Sequence, residues 1–204
     1  MDPQAHWETV YQTKAHDSVS WYRPHLERSL ELIERAAPDR KAAIIDVGGG
    51  ASTLVDDLLA FGYLDLSVLD VSAAAIDVAK QRLGEAAQRV TWWAADVTQA
   101  ALPECRYDVW HDRAVFHFLT DPQQQAAYVA QVRRALKPGG HIIVATFALD
   151  GPLKCSGLEV ARYDALGLHG AFGEGFELID SGAETHYTPS GAEQSFVYCY
   201  CRKA

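Results

Sequence analysis

From about residue 41 the chain alternates short apolar runs with stretches whose apolar positions recur every three or four residues. Residues 42–47 form an apolar run that ends in three glycines, which predicts a strand feeding a tight turn. Leu54, Val55, Leu58 and Leu59 then share one helical face, with Asp56 and Asp57 on the other. A second strand is predicted over 66–69, closed by Asp70, and Ser72 is placed to cap a helix carrying Ile76, Ala79 and Leu83. Residues 90–94 and 107–111 read as a third and a fourth strand. Val129, Val132 and Leu136 mark a longer helix, expected to stop at Lys137-Pro138-Gly139-Gly140 before a fifth strand over 141–147.

Strands that alternate with helices in this way build βαβ units and a parallel, doubly wound α/β sheet covered on both faces. The tail departs from that rhythm. Residues 176–179 and 196–201 read as strands joined by a turn-rich stretch, Ser181 to Gly191, so an antiparallel hairpin on the sheet's edge is expected. Leu26, Leu30 and Ile33 form one face of a helix before the sheet, and residues 1–22 are aromatic and polar, suited to covering a site. The whole of 1–204 reads as a single domain, with 1–38 as a helical N-terminal cover.

The charge balance narrows the partners. Lys plus Arg is 18 and Asp plus Glu is 27, so the net charge is 18 − 27 = −9 and a phosphate backbone would be repelled. No nucleic-acid partner is expected. No apolar run approaches the roughly 18 residues of a membrane span, and the N-terminus has no basic and apolar signal pattern, so a cytoplasmic protein away from membranes is expected. Of the four cysteines only Cys199 and Cys201 are close in sequence; on a strand they share a face, which suits reduced thiols or, more sharply, a soft-metal or arsenic ligand pair. No metal site is otherwise expected.

The chemistry concentrates at the ends of the predicted strands. In IIDVGGGAST, residues 44–53, glycines between a strand and a helix let a ligand approach closer than any Cβ would permit. Asp70 follows Gly48 by 22 positions, where an acid reaches ribose hydroxyls, and Asp96 ends the next strand. Three acids at successive strand ends converge on one crevice, although each could separately be a solvated cap. The carboxylate of Asp46 beside the loop disfavours a diphosphate and favours a cationic amino group. A ribose-bearing, positively charged, phosphate-free cofactor fits better than a dinucleotide.

These motifs resemble the class I S-adenosylmethionine-dependent methyltransferases. Asp46, Gly48 and Gly50 match the family's acid-x-G-x-G-x-G motif, with Ser52 in place of its last glycine and able to cap the helix. Asp70 matches the ribose-binding acid, and Asp96 with Val97 the adenine-contacting position; residues 107–119 and 136–147 resemble the two motifs that follow. The resemblance implies a Rossmann-like seven-stranded sheet, mostly parallel with an antiparallel last strand, and S-adenosylmethionine as cofactor. The N-terminal segment is similar to a subgroup of small bacterial methyltransferases and, more loosely, to eukaryotic protein-lysine methyltransferases. Gly49, Val71, Asp112, Trp21 and Tyr22 complete the expected cofactor contacts. Trp7 and Tyr11 are aromatic candidates to shield the reaction, or simply to staple a terminal helix.

His117 and His111 are the candidate general bases, set against a packed, structural reading of each. Asp112 and Arg113 read either as an internal ion pair or as a grip on a charged acceptor. One of Trp92 and Trp93 is expected to face the adenine. The leading expectation is methyl transfer to a small molecule. A protein lysine is the alternative acceptor, and a nicotinamide-dependent oxidoreductase or non-catalytic nucleotide-binding module is the alternative of another class.

Overall fold

The computed structural model describes residues 2–204. Helices α1 (Pro3–Thr13) and α2 (Glu27–Ala36) precede β1 (Ala43–Val47), α3 (Leu54–Ala60), β2 (Asp65–Asp70), α4 (Ala73–Leu83), β3 (Val90–Ala94) and β4 (Tyr107–Arg113). The chain continues through α5 (Pro122–Ala135), β5 (Leu136–Phe147), the two-residue strands β6 (Lys154–Cys155) and β7 (Leu158–Glu159), α6 (Ala165–Phe172), β8 (Phe176–Tyr187) and β9 (Glu193–Lys203). Seven strands make one sheet in the order β3-β2-β1-β4-β5-β9-β8. The first five are parallel, and β9 runs antiparallel to both β5 and β8. The order reverses between β2-β1 and β4, the switch point at which open α/β sheets take their ligands.

The burial pattern of β1 is apolar on both faces, as a central parallel strand requires. Ile44, Val109 and Ile143 pack with Leu30 and Ile33 of α2 and with Leu54 and Leu58 of α3. On the opposite face Ile45, Trp110 and Val144 meet Tyr128 and Val132 of α5 and Phe172 of α6. Burying a Leu, Ile or Val fully is worth about 1.5–3 kcal/mol, so these two layers hold the strand ends in place. Helix α2 is therefore part of the core. Only the segment before it covers the site, a correction to the cover expected over 1–38.

Two sequence expectations change. Helix α5 ends at Ala135, and the Lys-Pro-Gly-Gly stretch lies in extended backbone, with Leu136 already opposite Tyr107 and a register irregularity between Tyr107 and Val109. That irregularity, with Gly139 at φ +74°, lets a Pro-Gly sequence remain in a strand. Ser181–Tyr187, expected as turns, pairs residue by residue with β9, so the reversal is confined to the few residues before Glu193. The last strand of the chain is antiparallel but internal, because β8 takes the edge. Among the described residues no helix is long and apolar enough to cross a membrane.

Candidate active site

The strand ends of β1 to β4 open on a cavity of about 390 Å³. Its floor includes Gly48, Asp70, Val71, Asp96 and Val97, and its far wall Arg113, Phe118 and Cys155. Helix α1 and the segment after it supply Trp7, Tyr11 and Trp21; Trp21 meets the other two edge to face, and Trp7 packs on Phe118. A smaller space of about 50 Å³ adjoins it, bounded by Asp46, Gly48, Gly49, Ser52, Tyr22 and Arg113. Gly48 and Arg113 belong to both.

The glycine loop is shaped by close approach. Gly48 has φ +72°, and a Cβ there would lie 2.0 Å from Val115 Cγ2. At Gly50 it would lie 2.5 Å from an Asp70 oxygen. That closeness is used: Asp70 accepts the Gly50 N–H at 3.0 Å and the Ser72 N–H at 2.9 Å, tying β2's end to the loop. Gly50 lines neither space; it positions Asp70, a correction to its expected direct cofactor contact. Ser52 accepts the Leu54 N–H at 3.2 Å, but the N-cap of α3 is Thr53 and no side chain caps the helix, a correction to the capping role expected for Ser52. Ser72 caps α4 by accepting the Ala75 N–H at 3.1 Å. The Glu8 carboxylate of α1 accepts from the Ser72 hydroxyl at 2.8 Å and so latches the cover onto α4.

Asp46 accepts a hydrogen bond from His111 Nδ1 across 2.7 Å, or shares its proton, while its second oxygen is buried without a partner. Burial pushes the Asp70 carboxyl up to about 6, with Asp46 adding a smaller rise. Asp96 is exposed and accepts from the Thr98 N–H and hydroxyl, both at 2.8 Å. Asp70 and Asp96 thus face the larger cavity, while Asp46, with its orphaned oxygen, bounds only the smaller space beside it, and Gly48, in a cradle that a Cβ would fill, borders both. That donor set fits an adenosyl amino acid: an ammonium at Asp46, ribose hydroxyls at Asp70 and a base beside Asp96 and Val97.

The candidate bases are elsewhere. His111 is 1% exposed and wedged between Asp46 and Ser29, whose hydroxyl is 2.9 Å from Nε2, so both ring nitrogens are occupied. His117 sits in a short turn, 0% exposed, against the Phe118 and Phe147 rings. Burial drives its pKa down to about 3, and the Arg113 charge adds to the fall. Neither histidine lines the cavity, which corrects their assignment as general bases.

Asp112 and Arg113 are not an ion pair. Successive strand residues point to opposite faces. Asp112 turns toward α5, where it accepts from the Val115 and Phe116 N–H groups and the Tyr128 hydroxyl at 2.8, 3.0 and 2.6 Å. It is 0% exposed, with burial raising its carboxyl to about 6. It shapes the turn after β4 and contacts no cavity, correcting its expected place among cofactor contacts. Arg113 turns to the other face and its guanidinium carbon stands 4.4 Å from the Phe196 ring centre. Its terminal Nη2 is buried without a partner. Trp92 donates to the Ala87 carbonyl and Trp93 packs on the core; neither reaches the cavity.

Sequence reasoning missed Phe118 and Cys155, and it undervalued Arg113. The period of two along β4 was the available signal for Arg113. Nothing in the local pattern marks Cys155, which arrives from a short strand more than 40 positions after Arg113. Cys199 and Cys201 are buried free thiols, their sulfurs 3.0 Å apart, and among the described residues no group of three or more metal-binding side chains assembles.

Residues 44–140 match the model of a methyltransferase domain. The chain is 29% identical over 155 residues to the eEF1A lysine and N-terminal methyltransferase of Bos taurus, covering 73% of this chain and 22% of that protein. It is 35% identical over 105 residues to the malonyl-[acyl-carrier protein] O-methyltransferase of Anoxybacillus flavithermus, covering 51% of this chain and 38% of that one. The chain therefore spans between about a fifth and a half of the length of the curated relatives it matches. Its fold is similar to that of 1,6-didemethyltoxoflavin-N1-methyltransferase of Burkholderia thailandensis, solved with S-adenosylhomocysteine. The TM-score is 0.69 and the identity 20%, with 98% of this chain and 87% of that one covered.

Proposed function

We propose that the chain is a class I S-adenosylmethionine-dependent methyltransferase, a reading its match to a methyltransferase domain supports, and that it transfers a methyl group from S-adenosylmethionine to a small-molecule acceptor. The observation that carries this reading is the continuous cavity from Asp96 past Asp70 and Gly48 to Arg113. When bound, the cofactor supplies a methyl group activated by a positively charged sulfur. In this reading Asp46 and the glycine loop hold its amino-acid end, Asp70 its ribose, and Asp96 with Val97 its base. Val71, Gly49, Ser52 and Tyr22 close around it.

The chain's own contribution is alignment and exclusion of water. Trp7, Tyr11 and Trp21 roof the cavity, and the Glu8 latch holds that roof down. A roofed space of this size supports a small acceptor over a folded protein surface. The names of the relatives point both ways, one to a lysine and N-terminal substrate and one to a malonyl group on a carrier.

Incubation of the protein with methyl-labelled S-adenosylmethionine and a cell lysate tests the reading. Label in the small-molecule fraction is expected. Label retained on a protein band would replace the small acceptor with a protein one.

A further inference from the structure

We propose that the acceptor is a carboxylic acid, that Arg113 grips its carboxylate, and that the product is a methyl ester; the proposal rests on the methyltransferase reading and names its substrate class. The sheet order separates two jobs. Asp46, Asp70 and Asp96 end or follow β1, β2 and β3, whereas Arg113 ends β4, on the other side of the switch point. At about 4.8 Å between strands, the β3 and β4 ends stand roughly 14 Å apart. The Arg113 guanidinium leans further still from the acids, onto Phe196 of β9.

On the larger cavity's side Arg113 is surrounded by donors; the carboxylates near it, Asp46 across the smaller space and Glu184, are already engaged by His111 and Arg23. Arg113 lines both spaces, and its Nη2 is buried without a partner. The Cys155 thiol lines the larger one, and burial pushes it up to about 11, so it stays protonated. Tyr11 accepts from the Trp21 indole N–H at 3.2 Å, and burial raises its hydroxyl far above the range in which it would ionise. The two nearby histidines are sealed in the core. An amine, alcohol or thiol would arrive with a proton and find nothing at this end to take it. A lysine ammonium would also be repelled by the guanidinium. A carboxylate is already deprotonated at neutral pH, and a planar two-oxygen acid matches a guanidinium fork.

The step balances without a base. A carboxylate oxygen lone pair forms the new bond to the methyl carbon as the carbon–sulfur bond breaks. Its electron pair stays on sulfur, which becomes a neutral thioether, and no proton moves. The apolar wall of Trp7, Trp21 and Phe118 suits an aryl or alkyl group behind the carboxylate.

The test uses the full chain with phenylacetate, cinnamate and octanoate, set against phenethylamine, cinnamyl alcohol and octanethiol. Turnover of at least one acid is expected, giving a product from which mild alkali releases labelled methanol. Arg113→Gln should lower kcat/KM for that acid about 30-fold or more, the scale of a lost charge-assisted pair, with Arg113→Lys between the two. Calorimetry supplies a readout besides activity: S-adenosylhomocysteine should bind wild type and Arg113→Gln within about threefold of each other, and the acid should bind only the wild-type complex. If S-adenosylhomocysteine binds and no acid is turned over, or only the amine, alcohol or thiol is, the proposal is wrong while the methyltransferase reading stands. A Kd for S-adenosylhomocysteine raised tenfold in Arg113→Gln, with methylthioadenosine binding unchanged, would mean that Arg113 holds the cofactor's own carboxylate instead. Failure of S-adenosylhomocysteine to bind at all would sink both readings.

Discussion

The two halves of the cavity are built from different chemistry. The half over β1, β2 and β3 presents carboxylates and a glycine loop, with Asp70 and Asp96 fixed by backbone hydrogen bonds and Asp46 by His111. The half over β4 presents a guanidinium, a thiol and aromatic rings, delivered by segments far apart in sequence. A donor that many acceptors share can be recognised by a local, repeating motif. An acceptor that differs from one protein to the next is recognised by side chains brought in from wherever the fold permits.

The comparison is broken most forcefully at Gly48. An alanine there must hold φ +72° and push its Cβ against Val115. Left-handed strain of about 1–2 kcal/mol and overpacking of about 1–3 kcal/mol together give a loss of about 2–5 kcal/mol, measurable by urea unfolding. S-adenosylhomocysteine binding should fall with it, since the β1 loop and the turn after β4 touch at this point.

Asp70→Asn tests the carboxylate half alone. Loss of a charged hydrogen-bond partner should weaken S-adenosylhomocysteine by about 1.5–3 kcal/mol, read by calorimetry. In the wild type the carboxyl titrates near pH 6, raised by burial, and the ionised form is the one that accepts from ribose. Cofactor affinity should therefore drop as pH falls from 7 to 5, and Asp70→Asn should be flat over that window. In the empty protein the sign for stability is reversed. A folded carboxyl at about 6, above the ordinary 3.8, contributes stability that is complete below pH 3.8 and lost as pH rises through 6.

His117 gives the smallest effect and belongs to the other half. Its folded pKa, near 3, lies below the ordinary 6.5. It contributes stability above pH 6.5 that is lost as pH falls toward 3. His117→Gln should therefore lose less melting temperature than wild type between pH 6.5 and 4.

The two halves also differ in how legible they are in the sequence. Asp46, Gly48, Asp70 and Asp96 sit at strand ends whose apolar runs and turn residues announce themselves, so both the sheet and the carboxylate half follow from local pattern. The β4 half depends on alternation and on long-range packing. His111 and His117 have the right chemistry for bases, but Ser29 and Phe147, remote in sequence, enclose them. Asp112 and Arg113 are neighbours in the chain and look like a pair, yet the pleat sends them to opposite faces. The Ser181–Gly191 stretch is rich in turn formers, and only pairing with β9 makes most of it a strand.

The most direct test of the central claim is a titration of the full chain with S-adenosylhomocysteine and, separately, with NADH. The account predicts one molecule of S-adenosylhomocysteine bound per chain and a raised melting temperature, with NADH producing neither. Binding of NADH in preference to S-adenosylhomocysteine would contradict it.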